Sequence, residues 1–304
     1  MNSKTRRLEI ASIPVLGTVK QPRTTGRSRS PLALSVPTCW ILTLAALVAH
    51  AGLPAATANE LTWVEGGSDN LIFNRQNWDP DGRPDAGNSG VVTGAAQTGY
   101  STGKAANLNG YNITYKETSS LGVVNGPVRL TLAGGTELTF QDNSVLKVGE
   151  DLGLGFTATN SGGAKLTLAA NATAVIDRNL IFGLTGSSGS SPGTLVLQGS
   201  SSVCVEGVME WHQAAGGPEV THAITLADSA KLTIKATKSR HRNGAMMVVN
   251  FQQTDKRATP TLTLGDANEF PGENIRYQIN GEDATLSDPR FELSEATLAL
   301  VLQR

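Results

Sequence analysis

The chain has 304 residues, 39% hydrophobic, 5% aromatic and 17% charged, with 33 glycines, which places it in the globular class with apolar material for a large core. Its net charge of −1 hides an asymmetry: residues 1–58 hold seven Lys/Arg and one acid, Glu9, leaving 18 basic and 25 acidic residues beyond them, a net of −7. So acidic a body lacks the concentrated basic surface that phosphate backbones require, and nucleic acid is excluded as an expected partner.

The leader comes first. Cys39 to Ala51 is an apolar run behind a basic stretch, followed by Ala56-Thr57-Ala58, an A-x-A site at which a signal peptidase would cut before Asn59. The run falls short of the ~20 residues a spanning helix needs, so cleavage is expected and no membrane span thereafter. The destination is then the medium, the cell surface or the periplasm. Arg6-Arg7 resembles a twin-arginine pair, but the apolar core starts about thirty residues later; a start codon assigned too far upstream accounts for the long basic region equally well. Cys39 precedes the apolar run, where a lipid-anchored cysteine would follow it. A processed chain keeps only Cys204, which rules out an intramolecular disulfide and a cysteine-based metal site.

Residues 59–127 read as an N-terminal cap with the first coils. Trp63, Trp78 and Tyr100 have the bulk to close the end of a stacked fold, or to stack on sugars; capping is the preferred reading. Asp79, Asp81 and Asp85, in Asp79-Pro-Asp81-Gly-Arg-Pro-Asp85, have the D-x-D-G opening of a calcium loop, where hard oxygen ligands gather. Gly90 occupies the twelfth position, where an EF-hand needs Glu, and two prolines stiffen the segment, so a turn is the plainer reading. These three aspartates are the candidate metal ligands, calcium is the candidate ion, and no other cofactor is expected.

Residues 128–304 repeat. Leu130 and Leu132 are followed eight residues later by Leu138 and Phe140, Leu166 and Leu168 by Ala174 and Ile176, Leu195 and Leu197 by Val203 and Val205, and Ile224 and Leu226 by Leu232 and Ile234. Leu262 and Leu264 open a fifth copy, and the first residues of the copies lie 36, 29, 29 and 38 positions apart. Each pair puts two apolar side chains on one face of a strand. A third short run often follows: Val145 to Val148, Leu180 to Phe182, Val208 to Trp211. Three strands in a period of about 30 residues predict an all-β fold, a parallel β-helix whose coils bury their inner faces together. The rival is an antiparallel β-sandwich. The returning two-strand phrase favours the helix, because hairpins do not require it.

Glu210, His212, Glu219 and His222 form the one cluster after the leader that brings two of its three histidines close together, but His-x9-His matches no metal motif, and a polar loop between strands ending at Trp211 and starting at Ala223 is the simpler reading. Lys235, Lys238, Arg240, His241 and Arg242 form a basic patch suited to an acidic glycan or a lipid headgroup, and are expected in a solvated loop. No G-x-S-x-G elbow or phosphate-cradling glycine loop is present. Between the apolar pairs stand Thr131, Thr167, Val196, Thr225 and Thr263, a ladder that supports a sheet, where an active site on such a scaffold would require recurring acids and bases. The segment Phe291 to Leu302 is placed to fold over the last coil and blunt its open edge.

Thr62-Trp63, Asn77-Trp78-Asp79-Pro80-Asp81-Gly82 with Pro84, and Ala106-Asn107-Leu108-Asn109-Gly110-Tyr111-Asn112-Ile113-Thr114 resemble the opening of secreted bacterial proteins with autotransporter-type β-strand repeats, common in Planctomycetes and Verrucomicrobia. The likeness covers most of residues 61–264. It implies a secreted β-helical protein, usually of unassigned function. The C-terminal sorting helix and arginine-rich tail of many relatives are missing, as is room for an outer-membrane barrel. The expectation is therefore an exported structural or adhesive β-solenoid, without identifiable catalysis, that meets a glycan, a matrix or a cell-surface component. The alternative is a carbohydrate-active enzyme, a polysaccharide lyase or hydrolase, on the same scaffold.

Overall fold

The computed structural model describes residues 59–101, 105–122, 126–155, 163–183, 191–214, 219–253, 255–270, 272 and 274–301; the leader lies outside them. Strands with alternating apolar residues stack in parallel into three sheets, giving a β-solenoid of about seven turns. The main sheet takes Asn59–Trp63, Asn88–Val92, Asn112–Tyr115, Glu137–Phe140, Ala164–Leu168, Gly193–Leu197, Thr221–Ala227, Met246–Gln252 and Ile275–Ile279. The second sheet takes Gln97–Gly99, Ser120–Gly122, Val145–Val148, Thr173–Ile176, Ser202–Val205, Lys231–Ile234 and Thr261–Thr263. The third takes Ala106–Asn109, Leu130–Ala133, Leu152–Leu154, Leu180–Phe182, Met209–His212 and Arg240–Arg242. Parallel pairing from coil to coil excludes the sandwich.

The core follows from this register. In the main sheet Ile113, Leu138, Leu166, Leu195, Ile224 and Val249 stack in one inward row, and Tyr115, Phe140, Leu168, Leu197, Leu226 and Phe251 in the next, all wholly buried. Each such side chain contributes about 1.5–3 kcal/mol by leaving water. The Tyr115 and Phe140 rings stack at 4.6 Å.

The register also corrects the sequence phase. Leu166 pairs with Leu138, not with Leu130, which belongs to the third sheet beside Leu152. Ile224 pairs with Val249, whereas Leu262 sits in the second sheet opposite Leu232. The irregular spacings of 36 and 38 arise from comparing strands of different sheets; in phase, the main-sheet positions Ile113, Leu138, Leu166, Leu195, Ile224 and Val249 recur every 25 to 29 residues. Thr131 and Thr263 likewise leave the ladder. The outward row of the main sheet is Thr62, Val91, Thr114, Thr139, Thr167, Val196, Thr225, Asn250 and Gln278.

The corner after the main sheet uses one device after six strands, from Asn88–Val92 to Thr221–Ala227. Two residues beyond the second inward position stand Gly94, Glu117, Asp142, Ala170, Gly199 and Asp228, every one at positive φ between 56° and 71°. Where this residue is acidic, its carboxylate reaches down one coil and accepts a backbone N–H: Glu117 from Gly94, Asp142 from Glu117, Asp228 from Gly199, at 2.9, 2.9 and 3.1 Å. A short acidic side chain thus offsets the cost of the left-handed turn.

Both ends are closed. Trp78–Asp79 pairs antiparallel with Asn59–Trp63, Trp63 meets Trp78 edge-on at 5.2 Å, and the Trp78 indole donates to the Ile72 carbonyl at 3.1 Å. At the far end Glu282–Ala284 folds back on Ile275–Ile279, and the hairpin of Phe291–Ser294 and Thr297–Leu300 adds antiparallel to Thr261–Thr263. Phe291 seats its ring against Phe251 and Tyr277 at 5.2 and 6.3 Å. Leu302 lies outside the described residues.

Candidate functional site

Of the histidine cluster, Glu210, His212 and His222 come together and Glu219 is exposed. His222 is wholly buried. Its Nδ1 accepts from the Gly193 N–H at 3.0 Å and its Nε2 donates to the His212 carbonyl at 2.9 Å, fixing the neutral tautomer. Burial pushes its pKa down to about 4. The ring occupies room left by glycine: a Cβ on Gly183, which has φ +75°, would stand 2.2 Å from the His212 carbonyl oxygen and 2.9 Å from the His222 ring. His222 is therefore a staple between coils. His212 is also buried, with Nε2 2.9 Å from Glu210; burial lowers its pKa against the opposing pull of that carboxylate. Strands Met209–His212 and Thr221–Ala227 stand where the sequence puts strands on either side of a polar loop, and Glu210, His212 and His222 lie in those strands.

The basic patch is also a strand in part. Arg240–Arg242 is the last strand of the third sheet, His241 rests on the Trp211 ring at 6.0 Å, and Arg240 lies 3.8 Å from Glu210. Lys235 is engaged elsewhere, 2.6 Å from Glu206. The solvated-loop expectation fails for residues 240–242 because their alternation continues the coil; Arg240 and Arg242 are exposed and His241 half-buried.

Asp79 and Asp81 are exposed, and Asp79 lies in the capping strand opposite Thr62. Asp85 turns its carboxylate onto the chain, accepting from the N–H groups of Gly87 and Asn88 at 2.9 and 3.1 Å. Among the described residues no group of three His, Cys, Asp or Glu is arranged to hold a metal ion. Trp63, Trp78 and Tyr100 are buried, so their bulk serves the core and the cap.

One constellation escaped the sequence reading. Immediately after the second-sheet strands, Gly149, Asp177, Glu206 and Lys235 fall in one column, each stepping up a coil: the N–H of Asp177 donates to the Val148 carbonyl, that of Glu206 to Ile176 and that of Lys235 to Val205, at 2.9, 3.0 and 2.9 Å. Charged residues do recur at one phase of successive coils, at the position following the apolar pair and not within it. The signal was legible as Ile176-Asp177, Val205-Glu206 and Ile234-Lys235. At the lower end of this column lies an open hollow of about 330 Å³ lined by Gly126, Pro127, Lys147, Gly149 and Asp177. Lys147 stands in the outward row of the second sheet with Val175, Cys204 and Thr233.

Glu206 is held below its ordinary pKa by the Lys235 ammonium. Beside the hollow, the Tyr100 hydroxyl donates to the Val128 carbonyl at 3.1 Å. Its pKa is pushed up to about 12 by burial, with Asp177 and Glu150 adding to the rise. No helix among the described residues is long and apolar enough to cross a membrane. Comparison with protein-family models, with curated proteins and with solved structures found no match.

Proposed function

We propose that the chain is an exported structural or adhesive β-solenoid, released or held at the cell surface, whose side faces and corners contact a glycan, a matrix component or another cell. The observation that carries this reading is the outward row of the main sheet. From Thr114 through Thr139, Thr167, Val196 and Thr225 to Asn250 and Gln278 it holds uncharged side chains at successive coils. Such a row is a continuous contact face and offers no acid or base. The leader, with its Ala56-Thr57-Ala58 site, supports export, and the resemblance to autotransporter-type repeats supports the same placement.

A second reading, a carbohydrate-active enzyme, draws on Asp177 and Glu206, carboxylates on successive coils. Two-carboxylate glycoside hydrolysis requires one partner to be protonated near neutral pH, and Lys235 holds Glu206 in the opposite direction. The test is to incubate residues 59–304 with a panel of neutral and acidic polysaccharides, with calcium and with chelator, and to follow retention and chain length together. The expected result is retention with unchanged chain length. Shortened polymer would establish the enzyme instead, and activity lost with chelator would direct attention to Asp79, Asp81 and Asp85.

A further inference from the structure

We propose that the corner after the second sheet is a binding site for a neutral, hydroxyl-rich polysaccharide lying along the solenoid axis; the assignment rests on the contact-surface reading above and gives it a place and a ligand class. Three observations converge there. The hollow beside Lys147 and Asp177 has a volume of about 330 Å³ and a floor that includes Gly149 and Gly126. A Cβ on Gly126 would meet nothing within 4 Å among the described residues, so the backbone there is open to an incoming ring.

The second observation is direction. Asp177, Glu206 and Lys235 continue from the hollow up successive coils, a rise of ~4.8 Å per strand. A linear polymer laid along the axis meets a polar group at each step, whereas a small ligand would use only the hollow. All three side chains are exposed, as is Lys147.

The third is charge. The corner carries Lys147, Arg178 and Lys235 against Glu150, Asp177 and Glu206, and beside them Arg129 pairs with Asp151, which Arg178 also faces, so cations and anions balance. A polyanion would meet as many carboxylates as cations and gain little. Hydroxyl groups profit from both: a carboxylate accepts from two neighbouring hydroxyls, and an ammonium donates to hydroxyl or ring oxygens. Among the described residues Pro127 is the one large apolar side chain lining the hollow, which offers poor purchase to an apolar peptide.

Affinity electrophoresis of the full chain tests this, through gels holding soluble β-glucan, xylan or galactomannan, or else polygalacturonate or alginate. The variants are Asp177→Asn, Lys147→Gln and, as a control on the basic strand, Lys238→Gln/Arg242→Gln. The altered residues are exposed and lie on separate strands or turns, so a folding defect in one does not decide the result. Retention by a neutral polymer is expected to resist added salt, to weaken about tenfold or more in each corner variant, and to be unchanged in the control. Retention that survives both corner substitutions would overturn the site and leave the contact-surface reading intact. No retention by any polymer would overturn the site and leave the contact-surface reading to matrix or cell partners, and retention by acidic polymers alone, lost with salt, would overturn the neutral ligand.

Discussion

His222 shows how a single residue couples the stack to pH. Its ring is wholly buried between Gly193 and the His212 carbonyl and is neutral there. In the unfolded chain it takes a proton near pH 6.5, in the folded chain only at about 4. Its contribution to stability is therefore complete above the higher value and is lost as pH falls through the window to the lower one. At ~1.4 kcal/mol per pH unit this amounts to roughly 3 kcal/mol, with His212 displaced in the same direction. Urea unfolding at pH 7 and pH 4.5 is expected to show the midpoint falling in the native chain and falling much less in His222→Gln. An equal fall in both would mean the acid sensitivity lies elsewhere. The sequence named His222 but not its role, because the glycine that makes room for it, Gly183, and the N–H that its ring accepts, from Gly193, lie one coil earlier in the chain.

At the scale of the element, the recurring unit is strand, left-handed turn, strand. Glu117, Asp142 and Asp228 adopt positive φ and recover hydrogen bonds through their carboxylates, while Gly94 and Gly199 adopt it without a Cβ. Ala170 has neither advantage at φ 56° and is exposed. Ala170→Gly is accordingly expected to stabilise the protein by about 0.5–1 kcal/mol despite the greater freedom of the unfolded chain, and Gly199→Ala to destabilise it by at least as much. Denaturant midpoints of the pair check this; a loss in Ala170→Gly would show that the turn is not strained. Much of this level was legible in the sequence. The alternating pairs were read as strands correctly at Leu166, Leu195 and Ile224, and the coil length emerged from them. What failed was the phase at either end, since Leu130-Thr-Leu132 and Leu262-Thr-Leu264 share the apolar alternation of the main-sheet strands while lying in other sheets. Short apolar alternation identifies a strand and its buried face; which sheet it joins is decided by the turns on either side, and those vary in length. The charged column was missed for the same reason, because its members align only once every coil is in register.

For the whole molecule, each interior coil contacts the coils before and after it, so the stack is held by nearest-neighbour interfaces. Both ends need closure, provided by Trp63 and Trp78 at one end and by the hairpin of Phe291–Ser294 and Thr297–Leu300 at the other. That closure deprives the last second-sheet strand, Thr261–Thr263, of an open edge on which a further copy could add. Fold and functional proposals alike depend on one register, in which Val175 lies directly beside Cys204, two residues before Asp177 lies beside Glu206.

The direct test is a disulfide at that step: Val175→Cys against the native Cys204, in a chain carrying Cys39→Ser, with Thr131→Cys against Cys204 as the comparison. Adjacent parallel strands hold such a pair within the Cα separation a disulfide spans. Mild oxidation is predicted to consume both thiols of the Val175→Cys chain within one monomer and to leave those of the Thr131→Cys chain unlinked within the monomer. Free thiols in the first, or a bond within the monomer in the second, would contradict the register and with it the charged corner.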